Sequence, residues 1–218
     1  MTRELDNGPT IRMERLGAEL ESALDRDTIY VNDVDSGKKM DTFMAFGGED
    51  KCYIGTGPNI LGWGMAGAVG AKLARPDQPV VGVVGDGSFL FSGPQPLWSA
   101  ARYRAPVTLI VLNNRSYNNE RNRIWSFGAG AQFKEGRDMT CYNGKPDVDF
   151  AKTAEAFGVE AEAVKEPAKI KEALARAKRA NIDGRPYLLE FEIQRDGVGA
   201  ASEWYPEVSI AEMRTRKV

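Results

Sequence analysis

Apolar positions along the chain recur in two alternating rhythms. In TIRMERLGAELESAL, residues 10 to 24, Ile11, Leu16, Leu20 and Leu24 stand at helical spacing, and the β-rich run TIYVND at 28 to 33 reads as a short strand. LGWGMAGAVGAKLA, 61 to 74, is apolar and rich in small residues, which predicts a helix sitting close to its neighbours and ended by Pro76-Asp77. VVGVV, 80 to 84, is a strand buried on both faces by its β-branched content, and VTLIVLNN, 107 to 114, is a second. Between them QPLWSAARYR, 95 to 104, reads as a helix opened by Pro94 and Pro96 and closed before Pro106. DFAKTAEAFG (149 to 158) and PAKIKEALARAKRA (167 to 180) are amphipathic helices, and PYLLEFEI (186 to 193) is a strand. Repeated helix–strand alternation predicts an α/β fold: a doubly wound, mainly parallel sheet with helices on both faces, formed by residues 1–218 as a single domain. Residues 115 to 148, rich in Asn, Gly and Arg, lack either rhythm and are expected to form an extended active-site loop.

Composition narrows the function classes. The 29 basic and 31 acidic residues among 218 leave a formal charge of −2, so no global field favours nucleic acid or an anionic membrane. No apolar stretch reaches the ~18 residues of a spanning helix, and MTRELDNGPT has no signal-peptide core, so the cytoplasm is the expected compartment. Cys52 and Cys141 form no CxxC and are expected as two unpaired thiols; two cysteines are also too few to ligate an iron–sulfur cluster. The chain has no histidine, which removes the commonest general base and the commonest transition-metal ligand.

The candidate chemistry sits where apolar strands end. In such sheets ligands bind beyond the carboxyl ends of the strands. Asp86, between Gly85 and Gly87, follows VVGVV, and Asn113-Asn114 close VTLIVLNN, so both can reach one crevice. A carboxylate and an amide oxygen are hard donors suited to Mg²⁺, an ion that completes its shell with water and phosphate. The flanking glycines let main-chain amides approach phosphate oxygens. GTGPNILG, 55 to 62, is a poor dinucleotide loop, because Ile60 occupies the third glycine position and no acidic ribose ligand follows. Trp63, Trp98 and Trp125 read as core or interface aromatics rather than base-stacking platforms. Arg115, Arg121 and Arg123 are either solvated loop charges or an entrance that pairs with a substrate carboxylate, phosphate or coenzyme A tail.

The run GDGSFLFSGPQPLWSAARYRAPVTLIVLNN resembles the diphosphate-binding motif of thiamine-diphosphate-dependent enzymes, which opens on GDG and closes on paired asparagines; here Asn114 follows Asp86 by 28 positions. Within that family it is most similar to the benzoylformate decarboxylase, pyruvate decarboxylase and acetolactate synthase group, and the likeness covers only their C-terminal, diphosphate-binding domain. The resemblance implies thiamine diphosphate and Mg²⁺ as cofactors, with Asp86, Asn114 and the carbonyl of Ser116 as metal ligands. It implies that Gly85, Gly87, Ser88 and Ser36 contact the diphosphate, and that Leu61 wedges the cofactor into its bent form. Asn59 stands where the family generally has a glycine whose carbonyl accepts from the aminopyrimidine. SGPQP, 92 to 96, is one residue longer than in benzoylformate decarboxylase, which would reshape the turn under the metal. Arg121 and Arg123 would face an anionic substrate.

The family builds its site with a pyrimidine-binding domain carrying an activating Glu, and residues 1 to 9 are too few to supply it. The expected protein is therefore the diphosphate-binding subunit of a split lyase, a 2-oxoacid decarboxylase or a 2-hydroxyacyl-CoA lyase-like enzyme. It would act on a small carbonyl substrate, anionic or CoA-linked, in a heteromer with a pyrimidine-binding partner subunit, two or more copies of each. The alternatives are an acetolactate-synthase-like carboligase subunit, a non-catalytic cofactor-binding or regulatory subunit, or an excised domain of a longer enzyme. Met1 close to the start of the domain favours a separate gene product.

Overall fold

Three strands whose side chains are apolar on both faces set the frame, and these need helices on either side to exclude water. The computed structural model describes residues 8–34, 38–44, 52–55, 60–127, 137–138, 141–197, 200–201 and 203–204. In chain order the elements are α1 (Met13–Ala23), β1 (Ile29–Asp33), α2 (Lys38–Asp41), β2 (Cys52–Gly55), α3 (Gly64–Ala74) and β3 (Val80–Gly85). Then come α4 (Asp86–Ser92), α5 (Gln95–Arg102), β4 (Thr108–Asn113), α6 (Asn118–Ser126), β5 (Arg137–Asp138) and α7 (Phe150–Ala156). The chain closes with β6 (Glu160–Val164), a 3₁₀ turn (Pro167–Lys169), α8 (Ile170–Ile182), β7 (Tyr187–Glu192) and β8 (Glu203–Trp204).

Two compact units result: Met1–Asn114 with Asp149–Gln194, and Arg115–Val148 with Arg195–Val218. The first holds a six-stranded sheet of order β2-β1-β3-β4-β7-β6, every pairing parallel. On one face α1, α2 and α8 cover Tyr30, Val81, Val83, Ile110, Leu112, Leu189 and Phe191 in one apolar core. On the other, the small residues of α3 allow the close approach expected of them. A Cβ at Gly82 of β3 would lie 2.5 Å from Ala68 Cβ, and one at Gly64 would lie 3.0 Å from Val84 Cγ1. From β1 the chain runs outward to β2 and then returns past β1 to β3. The carboxyl ends of β1 and β3 therefore flank the point where winding reverses, the crevice that such sheets use for ligands.

The expected parallel α/β sheet is thus observed, with two strands in it that the sequence pattern did not announce. β2 (CYIG) and β6 (EAEAV) are edge strands and mostly exposed or half-buried, so neither carries the buried apolar run that marked the central strands. Element ends move by one to three residues. α3 starts at Gly64 rather than 61, because Gly62 takes φ +92° and breaks the helical run, and α5 stops at Arg102 before Arg104 at φ +47°.

The second unit contains helix where a loop was expected: nine of residues 115 to 148 form α6. An antiparallel bridge joins Ser116 to Tyr142, flanked by bonds from the Tyr117 amide to Cys141 O and from the Asn143 amide to Arg115 O, both 2.8 Å. β5 and β8 pair as a short parallel ladder. Neither Cys52, exposed, nor Cys141, buried, is in a disulfide. Among the described residues no helix is long and apolar enough to cross a membrane.

Candidate functional site

Asp33, the last residue of β1, organises the switch point. It is 1% exposed, and its Oδ2 accepts from the amides of Gly62 at 2.8 Å and Gly64 at 3.0 Å, pinning the entry to α3 against the strand end. Gly64 has no room for a side chain there, since its Cβ would fall 2.4 Å from Asp33 Cβ. The Asp33 carbonyl in turn accepts from Ser88 Oγ at 3.2 Å. Burial raises the Asp33 pKa, and the amides of Gly64, Gly62 and Trp63 hold it back. Sequence reading assigned this residue no role. Its signal was close to the one that marked Asp86, an acidic residue at the end of a buried strand.

β3 leads into α4 without an intervening loop, because Gly85 stays extended at φ −79°, ψ 159° and Asp86 opens the helix. Asp86, Gly87 and Ser88 are all buried, Asp86 to 3% exposure. A Cβ at Gly85 would meet nothing within 4 Å, so open space lies beside the strand end. The Ser88 hydroxyl proton is committed to Asp33, whereas its main-chain amide, in the first turn of α4, has no carbonyl four residues back within the helix.

The register of β3 on β4 sets Gly85 opposite Leu112, so Asp86 and the paired asparagines emerge together from neighbouring strands. The two asparagines are then distinguished by their surroundings. Asn113 Nδ2 donates to Glu190 Oε1 at 2.7 Å, while Glu190 Oε2 accepts from the amides of Phe150 and Ala151 at 3.2 and 3.3 Å. Burial raises the Glu190 pKa against those three donors. Asn113 is thereby tied sideways to β7, and Asn114, 8% exposed, is the next residue out.

Leu61 is half-buried, one residue before the Gly62 amide that Asp33 fixes, so the structure brings Leu61, Ser88 and Asp86 to the same end of β1 and β3. Ser36 and Asn59 lie outside the described residues. Gly93, at φ +79°, and Pro94 alone separate α4 from α5, which is how SGPQP turns.

Ser116, Arg121 and Arg123 belong to the second unit. Arg121 is not a solvated loop charge, one of the two expectations for it: it is 0% exposed, and its guanidinium donates to Ser116 Oγ at 3.2 Å, Asp196 O at 3.1 Å and Asn118 Oδ1. Position alone marked it as surface, since a helix inside the presumed loop gives it a buried face. Arg123 is about half exposed and pairs with Glu120 at 3.9 Å. Arg115 reaches Asp147 at 3.2 Å.

Among the described residues no group of three or more His, Cys, Asp or Glu could hold a metal ion. One carboxylate and one amide oxygen at adjacent strand ends suit Mg²⁺, which takes few protein ligands and leaves positions for phosphate and water.

Comparison with known proteins agrees with this geometry. Residues 36–191 match the family model described as "Thiamine pyrophosphate enzyme, C-terminal TPP binding domain". The benzoylformate decarboxylase of Pseudomonas aeruginosa is 33% identical over 195 residues, covering 87% of this chain and 34% of the relative. A probable acetolactate synthase large subunit of Methanococcus aeolicus is 34% identical over 140 residues, covering 63% of this chain and 21% of that protein. A solved thiamine diphosphate-dependent 4-hydroxybenzoylformate decarboxylase from Rhodococcus jostii RHA1 superposes with a TM-score of 0.76 at 30% identity, over 87% of this chain and 34% of that chain. The chain spans about a third of the length of these decarboxylases.

Proposed function

Because the chain belongs to the thiamine pyrophosphate enzyme family as its C-terminal TPP-binding domain, we propose that it holds the cofactor diphosphate for a lyase that cleaves or forms a carbon–carbon bond next to a carbonyl. The enzyme is a 2-oxoacid decarboxylase or a 2-hydroxyacyl-CoA lyase-like protein in this reading. Thiamine diphosphate is the cofactor of the family, with Mg²⁺ its usual companion; bound here, it supplies the electron sink for that bond. The observation that carries the reading is the pair Asp86 and Asn114, buried at the carboxyl ends of adjacent parallel strands beside the switch point.

Asp86 and Asn114 are the Mg²⁺ ligands in this reading, and Asn113 is the one withheld, by Glu190. Ser116, whose carbonyl is the third donor, follows Asn114 by two residues in the chain. Gly85 and Gly87 keep side chains away from the diphosphate, and the Ser88 amide donates to it. Leu61 supports the cofactor from the segment that Asp33 fixes. Ser36 and Asn59 remain cofactor contacts by resemblance.

The activating carboxyl group comes from a pyrimidine-binding partner subunit. Two further buried carboxylates at the strand ends are already engaged, Asp33 by Gly62 and Gly64 and Glu190 by Asn113, Phe150 and Ala151. An outer flank fits a covering partner: Leu73 of α3, Phe91 of α4, Trp98 of α5 and Tyr103 are 49%, 71%, 50% and 61% exposed, more apolar surface than solvent favours.

Isothermal titration of thiamine diphosphate, with and without Mg²⁺, tests the site. Asp86→Ala removes a charged ligand from a dication facing two phosphates and should weaken binding at least about tenfold. Metal-independent binding, or unchanged affinity in the variant, would remove the metal-site reading. Hydrogen–deuterium exchange at cofactor C2 tests the partner: this chain alone should show background exchange, and robust exchange would refute the need for a second chain.

A further inference from the structure

The chain bends sharply between two of the three donors of the proposed metal site. Arg115, between Asn114 and Ser116, takes φ +55°, a left-handed conformation that a residue with a side chain keeps only where its surroundings impose it. Ser116 then forms the antiparallel bridge with Tyr142, whose hydrogen bonds run through its neighbours, from the Tyr117 amide to Cys141 O and from the Asn143 amide to Arg115 O. In a pair of that kind the residue's own N–H and C=O point away from the opposite strand. The bridge thus fixes the main chain on both sides of Ser116 and turns its carbonyl away from Tyr142.

Arg121 holds the side chain of the same residue. It is buried in the first turn of α6, and Ser116 is 4% exposed. Arg121 Nη1 donates to Ser116 Oγ at 3.2 Å, while Nη2 donates to Asn118 Oδ1 and, at 3.1 Å, to Asp196 O. A guanidinium is a rigid planar fork, so acceptors in different directions hold it in one place, and it holds the Ser116 hydroxyl there. Burying a cation costs solvation that an apolar side chain of the same volume would not, which points to a role for Arg121 beyond filling space.

We infer that Arg121 is a positioning residue for the metal site: it braces the strained turn after Asn114 so that the Ser116 carbonyl keeps its aim. The inference rests on the reading of that carbonyl as the third Mg²⁺ donor. Mg²⁺ demands near-octahedral geometry, whereas Ca²⁺ accepts irregular and flexible shells. A carbonyl left to swing therefore weakens Mg²⁺ binding far more than Ca²⁺ binding, and loss of a group that orients a ligand typically costs roughly 10- to 100-fold in metal affinity.

The test titrates thiamine diphosphate into the full chain in Mg²⁺ and again in Ca²⁺, with circular dichroism and the thermal midpoint confirming that each variant is folded. Ser116→Ala keeps the carbonyl and removes the hydroxyl that Arg121 holds; it should weaken binding about tenfold in Mg²⁺ and less than about threefold in Ca²⁺. Arg121→Lys, which keeps the charge and loses the fork, should show the same split. Asn122→Ala removes the other donor to Asp196 O, 3.2 Å away, without touching Ser116, and should bind within about twofold of the wild type in both metals. The inference is overturned if Ser116→Ala binds in Mg²⁺ like the wild type, if its loss is equal in the two metals, or if Asn122→Ala shows the same loss. Metal-independent binding by the wild type, or no effect of Asp86→Ala, would instead remove the metal-site reading beneath it.

Discussion

Replacing Asp33 with alanine probes how the strand end is assembled. The carboxylate accepts from the Gly62 and Gly64 amides at 2.8 and 3.0 Å, and hydrogen bonds to a charged group contribute about 1.5–3 kcal/mol each, so the pair supplies about 3–6 kcal/mol. Opposing this, Asp33 Oδ1 is buried with no hydrogen-bond partner among the described residues, a penalty of about 1–3 kcal/mol that alanine relieves. The two ranges leave a net loss of about 0–5 kcal/mol, centred near 2.5, at pH 7. Burial raises the folded-state pKa, so folding favours the protonated acid. That contribution is fully present below the unfolded value near 4 and is lost as pH rises through the folded value. Alanine has no such titration, so the gap between wild type and Asp33→Ala should widen as pH is lowered toward 4. Urea denaturation followed by circular dichroism, at pH 7 and stepped downward, measures both. A variant more stable than the wild type, or a gap that narrows on acidification, would refute the account of Asp33 as the anchor of α3.

Three further outcomes follow from the packing. Arg121→Ala should destabilise the chain by about 3 kcal/mol in denaturant titration, because three oxygen acceptors lose a buried cation, whereas Arg123→Ala should stay within about 0.5 kcal/mol. Gly82→Ala should cost about 1–3 kcal/mol, since the new Cβ lies 2.5 Å from Ala68 Cβ; adding Ala68→Gly should recover part of the loss, and simple additivity of the two would exclude the clash. Tyr187 donates to Glu162 at 3.0 Å, and burial with that bond raises its pKa to about 12. Folding favours the neutral phenol, so its contribution holds below the unfolded value near 10 and is lost as pH climbs to about 12; Tyr187→Phe should lose less stability over that interval.

The central strands, their parallel arrangement and the place of the polar residues at their ends were legible in the sequence. β3, β4 and β7 are buried on both faces, so apolar runs, interrupted in β7 by Glu190, identify them without knowledge of their neighbours. The polar residue that ends such a run stands out against it, which is why Asp86 and the asparagine pair were visible. Edge strands were not: β2 and β6 are held by one neighbour and face solvent, so backbone pairing rather than side-chain burial makes them strands. The tertiary structure adds a physical reason for Asn114 over Asn113, since Asn113 donates to Glu190, 77 residues away. It alone assigned Asp33, whose partners at Gly62 and Gly64 are 29 and 31 residues distant. Arg121 follows the same rule in part, since its guanidinium donates to Asp196 O, 75 residues further along, as well as to Ser116 and Asn118 nearby. Periodicity reports what each segment must hide from water. Which polar group meets which is decided by strand order and register, and those depend on contacts between segments far apart in the chain.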